Sequence, residues 1–257
     1  MIIRPGVSPI WSEPFPDMAA ALDPAFERAA SGVRIFFRAD DVAVPSAGFR
    51  RMVDIFRTHE VSLEMAVTPA WLRKDRALEL MRLCPETELF RFHQHGWRHV
   101  SHQVSGKKGE FGADRTEADK RKDLVRGAEK LSGLLGSRFE RRFTPPWNRF
   151  DPVTAALLRE LEYLCVSRSE GEERKVPLPQ GLPDHFVNVD LHTRNESDSA
   201  QSRRALLAEL VEALESGHCG VMLHHQRMNG AAFEFLDALL AALVRSGSKA
   251  VRFADMD

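Results

Sequence analysis

Short runs of apolar, β-branched or aromatic residues alternate along the chain with longer runs in which apolar positions recur every three or four residues. That is the pattern of α/β units around a mostly parallel sheet. Val33–Phe37 predicts a first strand, and Ser46 then caps a helix whose Phe49, Met52, Val53 and Phe56 share one face. Strands are expected at 61–67 and 89–93, with a helix over Trp71–Leu83 between them, stopped by Pro85. A long helix begins near Thr116, with Asp119 as an approximate capping-box partner and Leu124, Ala128, Leu131 and Leu135 inward. A fourth strand ends at Arg142-Phe143-Thr144, and Asp151-Pro152 opens a helix through Leu161, Asp as N-cap and Pro at the first helical position. Strands at 164–167, 186–189, 220–223 and 250–253 and helices at 203–215 and 231–244 complete the series. The charged, proline-bearing stretch 168–184 reads as an excursion.

About eight strands and six helices, without repeat or linker, predict a single domain over residues 1–257. Its expected form is a distorted (β/α) barrel of about seven strands, with residues 1–30, rich in proline and aromatics, as an N-terminal wrap. At 257 residues and 43% apolar content the chain can rest on its own core. Lys and Arg number 36 against 37 Asp and Glu, so no basic excess exists to neutralise phosphates, and nucleic acid is not an expected partner. No run approaches the roughly 18 apolar residues of a membrane span, and the start lacks a basic segment followed by an apolar one, so a cytoplasmic location is expected. Cys84, Cys165 and Cys219 are far apart and read as reduced, buried thiols.

In parallel α/β architectures functional side chains gather after the C-terminal ends of strands. Four polar clusters fall there: Arg38-Ala39-Asp40-Asp41, the histidine-rich 93–102 segment, Arg142 to Asn148 with Pro145-Pro146-Trp147, and His224-His225-Gln226. His95 and His99, four apart, together with Asp41 from another strand, can supply three ligands to one divalent ion, expected to be zinc, and leave a position open for water. Asp40, beside the ligand Asp41, is placed to take that water's proton, and His224 or His225 can protonate a leaving amine. The constellation amounts to metal-assisted hydrolysis of an acyl bond. Trp147 can wall a sugar site beside Pro146.

Five segments in order, Arg38-Ala39-Asp40-Asp41, His95-Gly96-Trp97-Arg98-His99, Arg142-Phe143-Thr144-Pro145-Pro146-Trp147, Val189-Asp190-Leu191-His192 and Val221-Met222-Leu223-His224, resemble the motifs of the polysaccharide deacetylases, the NodB-homology family. The resemblance spans residues 33 to 225. It implies Asp40 as general base, Asp41, His95 and His99 as metal ligands, His224 as general acid and Asp190 as the residue that orients the acid. In the family the third motif's Arg tethers the base. Here Thr144 stands directly before Pro145-Pro146, which leaves Arg142, two residues earlier, and Arg38 as tether candidates. Arg-Ala replaces the usual Thr-Phe before the aspartate pair, and His224 is doubled by His225, which leaves the acid open between them and marks a divergent branch.

The expected function is removal of an N-acetyl group from an amino sugar, a carrier-linked glycan or a related small amide, with one divalent ion. Two rivals stand beside it. One is a catalytically inactive deacetylase-like domain that binds glycans; the other is a metal phosphoesterase, which needs ligands for two ions.

Overall fold

A computed structural model of the chain describes residues 6–15, 18–86, 88–194, 196 and 198–256. In chain order its elements are α1 (Met18–Glu27), β1 (Arg34–Val42), α2 (Ala47–Thr58), β2 (Leu63–Val67), α3 (Lys74–Leu83), β3 (Phe90–His95), α4 (Glu117–Leu135), β4 (Phe139–Thr144), α5 (Pro152–Glu160), α6 (Glu172–Lys175), β5 (Val189–Asp190), α7 (Ser199–Ser216), β6 (His218–Leu223) and α8 (Gly230–Arg245). The six strands form one sheet in the order β4-β3-β2-β1-β6-β5. Pairing is parallel between β1 and β6, β3 and β4, and β5 and β6. Beyond β4, single parallel bridges join Phe143 to Val166, Val166 to Asp184, and Ser169 to Val187.

The expected fold class is found with fewer regular strands. The 164–167 segment is reduced to the bridges of Val166, and 250–253 to a bridge between Ala250 and Ile35 followed by a 3-10 turn at Phe253–Asp255. Of 186–189, Val189 begins β5 and Val187 keeps one bridge. These runs are too short to sustain a ladder, and periodicity alone does not register that. The reverse error occurs at β1, expected at 33–37 but running to Val42, because Arg38 and Asp40 interrupt an apolar run yet are themselves buried. A helix also occupies Met18–Glu27 within the expected N-terminal wrap, with Pro24 inside it and Leu22, Ala25 and Phe26 buried. Proline in a helix interior removes a backbone donor, which is why the pattern argued against a helix there. The helix expected from Trp71 begins at Lys74, leaving Trp71 in a turn, and α7 begins at Ser199 because Asp198 accepts from Gln201 N.

The chain packs as two compact units. The first comprises Met1–Ala39, Pro45–Leu63 and Asn188–Arg252. In it α1 lies against α7 and α8, and the aromatic rings of Trp11 and Phe235, 5.1 Å apart, and of Phe37 and Phe56, 5.3 Å apart, fill the core. Ser46 caps α2 by accepting from Phe49 N, as the sequence predicts. The second unit comprises Asp40–Val44, Glu64–Val187 and Phe253–Asp257. There Phe111, Leu124, Phe143, Leu157, Leu158, Tyr163 and Val166 form an apolar cluster between α4, α5 and β4. The predicted caps hold: Thr116 Oγ1 accepts from Asp119 N at 3.1 Å, and Asp151 Oδ1 accepts from Thr154 N at 2.9 Å with Pro152 next. Cys84, Cys165 and Cys219 are buried free thiols. Among the described residues no helix is long and apolar enough to cross a membrane.

Candidate metal centre

The second unit gathers Asp41, His95 and His99 so that one potential ligand atom from each lies within 4.8 Å of the others. His95 closes β3 and His99 lies in the loop after it, while Asp41 sits near the end of β1. Both Nε2 atoms face Asp41 Oδ1, at 3.4 Å from His95 and 3.5 Å from His99. His95 Nδ1 donates to the Thr144 carbonyl at 2.9 Å, which assigns the ring proton to Nδ1 and turns the Nε2 lone pair toward Asp41. Two imidazole nitrogens and a carboxylate oxygen form a donor set that could hold a divalent ion.

Backbone geometry, not sequence spacing alone, makes this arrangement. Asp41 at φ 60° and His99 at φ 57° lie in the left-handed region, as do Trp147 and Asn148 at 57° and 59°. Left-handed non-glycine residues cost of order 1–3 kcal/mol each and tend to collect where surrounding structure enforces them for function. The turn at Asp41 brings its carboxylate to the histidines, while Asp40, next to it, is buried within β1.

The loop from His95 to His99 is held by Glu110. Its buried carboxylate accepts from Trp97 N at 3.0 Å, Arg98 N at 2.7 Å and His99 N at 3.2 Å. Gly96, at φ 55°, passes so close that a Cβ there would meet Glu110 Oε2 at 2.2 Å and Pro146 Cγ at 2.5 Å. Glycine is thus required at this position for both its conformation and its close approach. Glu110 was not among the residues singled out by sequence; it lies in a polar loop, and nothing local marks it.

Aromatic rings flank His99. The Trp147 ring lies 4.3 Å from that of His99, and the Trp71 ring lies 5.9 Å from it. Pro146 is buried and lies close against Gly96. Burial by itself would push the His95 imidazole down, yet Asp41 and Asp40, with the Thr144 carbonyl, hold it above the usual histidine value. His99 is pushed down to about 4 by burial and by the charge of His95. His102 stays outside the ligand group.

Arg142 is buried on β4, its Nε donating to Glu140 Oε2 at 2.7 Å and its Nη1 to Cys165 Sγ at 3.4 Å. Thr144, which stands before Pro145-Pro146, meets His93 Nε2 through Oγ1 at 2.8 Å. In the first unit, Arg38 is fully buried and its Nη2 meets Met222 Sδ at 3.0 Å. His224 follows β6 and is partly exposed, whereas His225 is buried with its ring 5.5 Å from that of Phe49. Asp190 Oδ1 accepts from His192 N at 2.8 Å and Thr193 N at 3.0 Å. Among the described residues no hydrogen bond or ion pair joins Asp190 to His224.

No protein-family model matches the chain, and no curated protein matches its sequence. Solved structures do match. A family 4 acetyl xylan esterase from Clostridium thermocellum, in complex with a cobalt ion, aligns at 15% identity over 86% of this chain and 89% of its own, with a TM-score of 0.58. A Mycobacterium smegmatis protein described as a polysaccharide deacetylase aligns at 14% identity over 99% of this chain and 93% of its own, TM-score 0.60. A carbohydrate esterase family 4 pseudoenzyme from Bacillus anthracis aligns at 13% identity over 86% of this chain and 65% of its own, TM-score 0.54. The chain therefore has the α/β fold of the family 4 carbohydrate esterases and polysaccharide deacetylases, at a sequence identity that marks a divergent form of it.

Proposed function

We propose that the chain is a metal-dependent deacylase that hydrolyses the N-acetyl group of an amino sugar or of a carrier-linked glycan. The observation that carries this reading is the ligand group itself: Asp41, His95 and His99, preoriented by left-handed backbone and by the Thr144 carbonyl, with Asp40 buried in the adjoining position. A divalent ion held there, zinc by the donor chemistry, would polarise the acyl oxygen and make a water acidic enough to be deprotonated near neutral pH.

Asp40 is assigned the proton from the attacking water, since a neighbouring carboxylate not used as ligand is the nearest base. His224 is assigned proton donation to the leaving amine. It follows directly on Leu223, at the C-terminal end of β6. It is also the more accessible of the paired histidines. Trp147 and Trp71 present ring faces suited to the apolar face of a pyranose, with Pro146 fixing the turn that carries Trp147.

The test is acetate release from acetylated amino sugars by metal-loaded protein, with Asp40→Asn as control. Turnover lost in the variant at unchanged metal content supports the reading; no release from monosaccharide, oligosaccharide or carrier-linked substrates sinks it. A non-catalytic glycan-binding domain is the second reading. It is favoured by Thr144, whose hydroxyl meets His93 where the family motif carries a base-tethering Arg. Glycan binding without turnover by metal-loaded protein would select it. A two-metal phosphoesterase draws no support, because Asp41, His95 and His99 form the one such ligand group found among the described residues.

A further inference from the structure

Gln94 and His95 are neighbours at the end of β3, and adjacent strand residues face opposite sides. His95 turns its Nε2 toward Asp41, whereas Gln94 is fully buried against α4. Its Nε2 donates to the Gly96 carbonyl at 3.0 Å and lies 3.5 Å from the Asp123 carbonyl of α4. Its Oε1 accepts from the Tyr163 hydroxyl at 2.6 Å, and that hydroxyl lies 3.2 Å from the Leu124 carbonyl. The amide is thereby held one way round. Reversed, its oxygen would face two carbonyls and leave both without a donor. Gly127 makes room for it on α4, where a Cβ would meet Gln94 Nε2 at 2.2 Å and Cδ at 2.8 Å. Glycine inside a helix is unfavourable relative to alanine, and the close approach of this amide accounts for it here.

Gly96 and Trp97 stand between His95 and His99, and the peptide that joins them is gripped at both ends. Its carbonyl, from Gly96, accepts from Gln94, while its N–H, from Trp97, donates to Glu110 Oε2 at 3.0 Å. Both side chains are buried. Rotating this peptide would break two buried hydrogen bonds at once and leave four polar groups without partners. Its plane sets the direction in which the chain leaves His95 for His99. Glu110 holds only the N–H side of the loop, so the carbonyl side depends on Gln94. The same stretch of α4 adds a further contact, the Arg126 guanidinium lying 3.9 Å over the Trp97 ring.

We propose that Gln94, itself held by the Tyr163 hydroxyl, is a positioning residue for the two histidines: it fixes the Gly96–Trp97 peptide at the end opposite Glu110 and so sets the separation of His95 and His99 before an ion arrives. The proposal rests on the reading of Asp41, His95 and His99 as metal ligands and on no particular substrate.

Zinc affinity of the full chain, measured by competition with a chromophoric chelator, tests it without any turnover, and chemical denaturation of the metal-free proteins reads stability separately. Gln94→Met keeps a side chain of similar size and removes the amide, so zinc should bind about 10- to 100-fold more weakly. Tyr163→Phe removes only the hydroxyl and should give a smaller loss in the same direction. The double variant should bind zinc no more weakly than Gln94→Met, because Tyr163 acts through Gln94. Should Gln94→Met fail to fold, Tyr163→Phe carries the test. Unchanged zinc affinity in a folded variant, or losses that simply add in the double variant, overturns the proposal, whatever happens to stability. An affinity that depends on Gln94 and Tyr163 in a chain that deacetylates no substrate counts against the deacylase reading alone. A chain that takes up no zinc overturns both.

Discussion

The different tasks proposed for the neighbours Asp40 and Asp41 rest on the backbone turning left-handed at the second of them. Asp41→Asn exchanges a charged ligand for a neutral amide that tolerates the same φ. Its metal affinity should fall, and added metal should recover part of the lost activity. Asp40→Asn should keep normal metal content while turnover drops by about 10²–10⁴, with no recovery at high metal. Metal content and rate measured across a metal titration separate the two. Equal metal loss in both variants would remove the base assignment. Glu110 gives a second expectation at this scale. Glu110→Gln leaves one amide oxygen where a carboxylate served three backbone N–H groups, so metal affinity should fall about 10- to 100-fold without unfolding. Unchanged affinity by metal titration would show that the loop holds without it.

At the scale of elements, the site depends on how β3, its following loop and the Pro146 turn approach one another. Gly96→Ala would place a methyl group within 2.2 Å of Glu110 Oε2 and 2.5 Å of Pro146 Cγ in a left-handed conformation. Neither a buried carboxylate nor a proline ring can give way cheaply. Stability should fall by roughly 1–3 kcal/mol or more, with weaker metal binding because His99 is displaced. Chemical denaturation and metal titration read both effects. The elements themselves were largely legible: α2, α4 and α5 carry the caps that Ser46, Thr116 and Asp151 announce. Those capping bonds span three residues, so local sequence contains both partners. What escaped were elements decided by packing, such as α1 with its interior Pro24, and the length of β1, where Arg38 and Asp40 are buried charges in a strand.

For the whole molecule, buried charge makes stability depend on pH. Glu64, on β2, has its carboxyl pushed up by burial from 4.5 to about 7, against the Phe253 N–H, which donates to it and favours the ionised form. A carboxyl of raised pKa binds more protons folded than unfolded, so stability declines as pH rises from about 4.5 to about 7. Integrated over that window the loss is at most roughly 3 kcal/mol. Glu64→Gln keeps an acceptor for Phe253 N and has no proton to lose. Its unfolding free energy should therefore lack this slope and exceed that of the unsubstituted chain at pH 8. Identical pH profiles for the two proteins would deny Glu64 that role.

The sequence by itself determined the α/β class and the caps, and it singled out Asp41, His95 and His99, which the fold gathers into a group able to hold an ion. These rest on periodicity, on contacts three residues long and on a four-residue histidine spacing. Tertiary structure alone decided that Glu110 holds the His95–His99 loop, that Trp71 leaves its helix to flank His99, and that the His192 ring meets Trp11. The last of these joins residues 181 positions apart in the chain. Local propensity acts over a few residues, whereas the partner of a buried polar atom is chosen by whichever distant segment packing brings beside it.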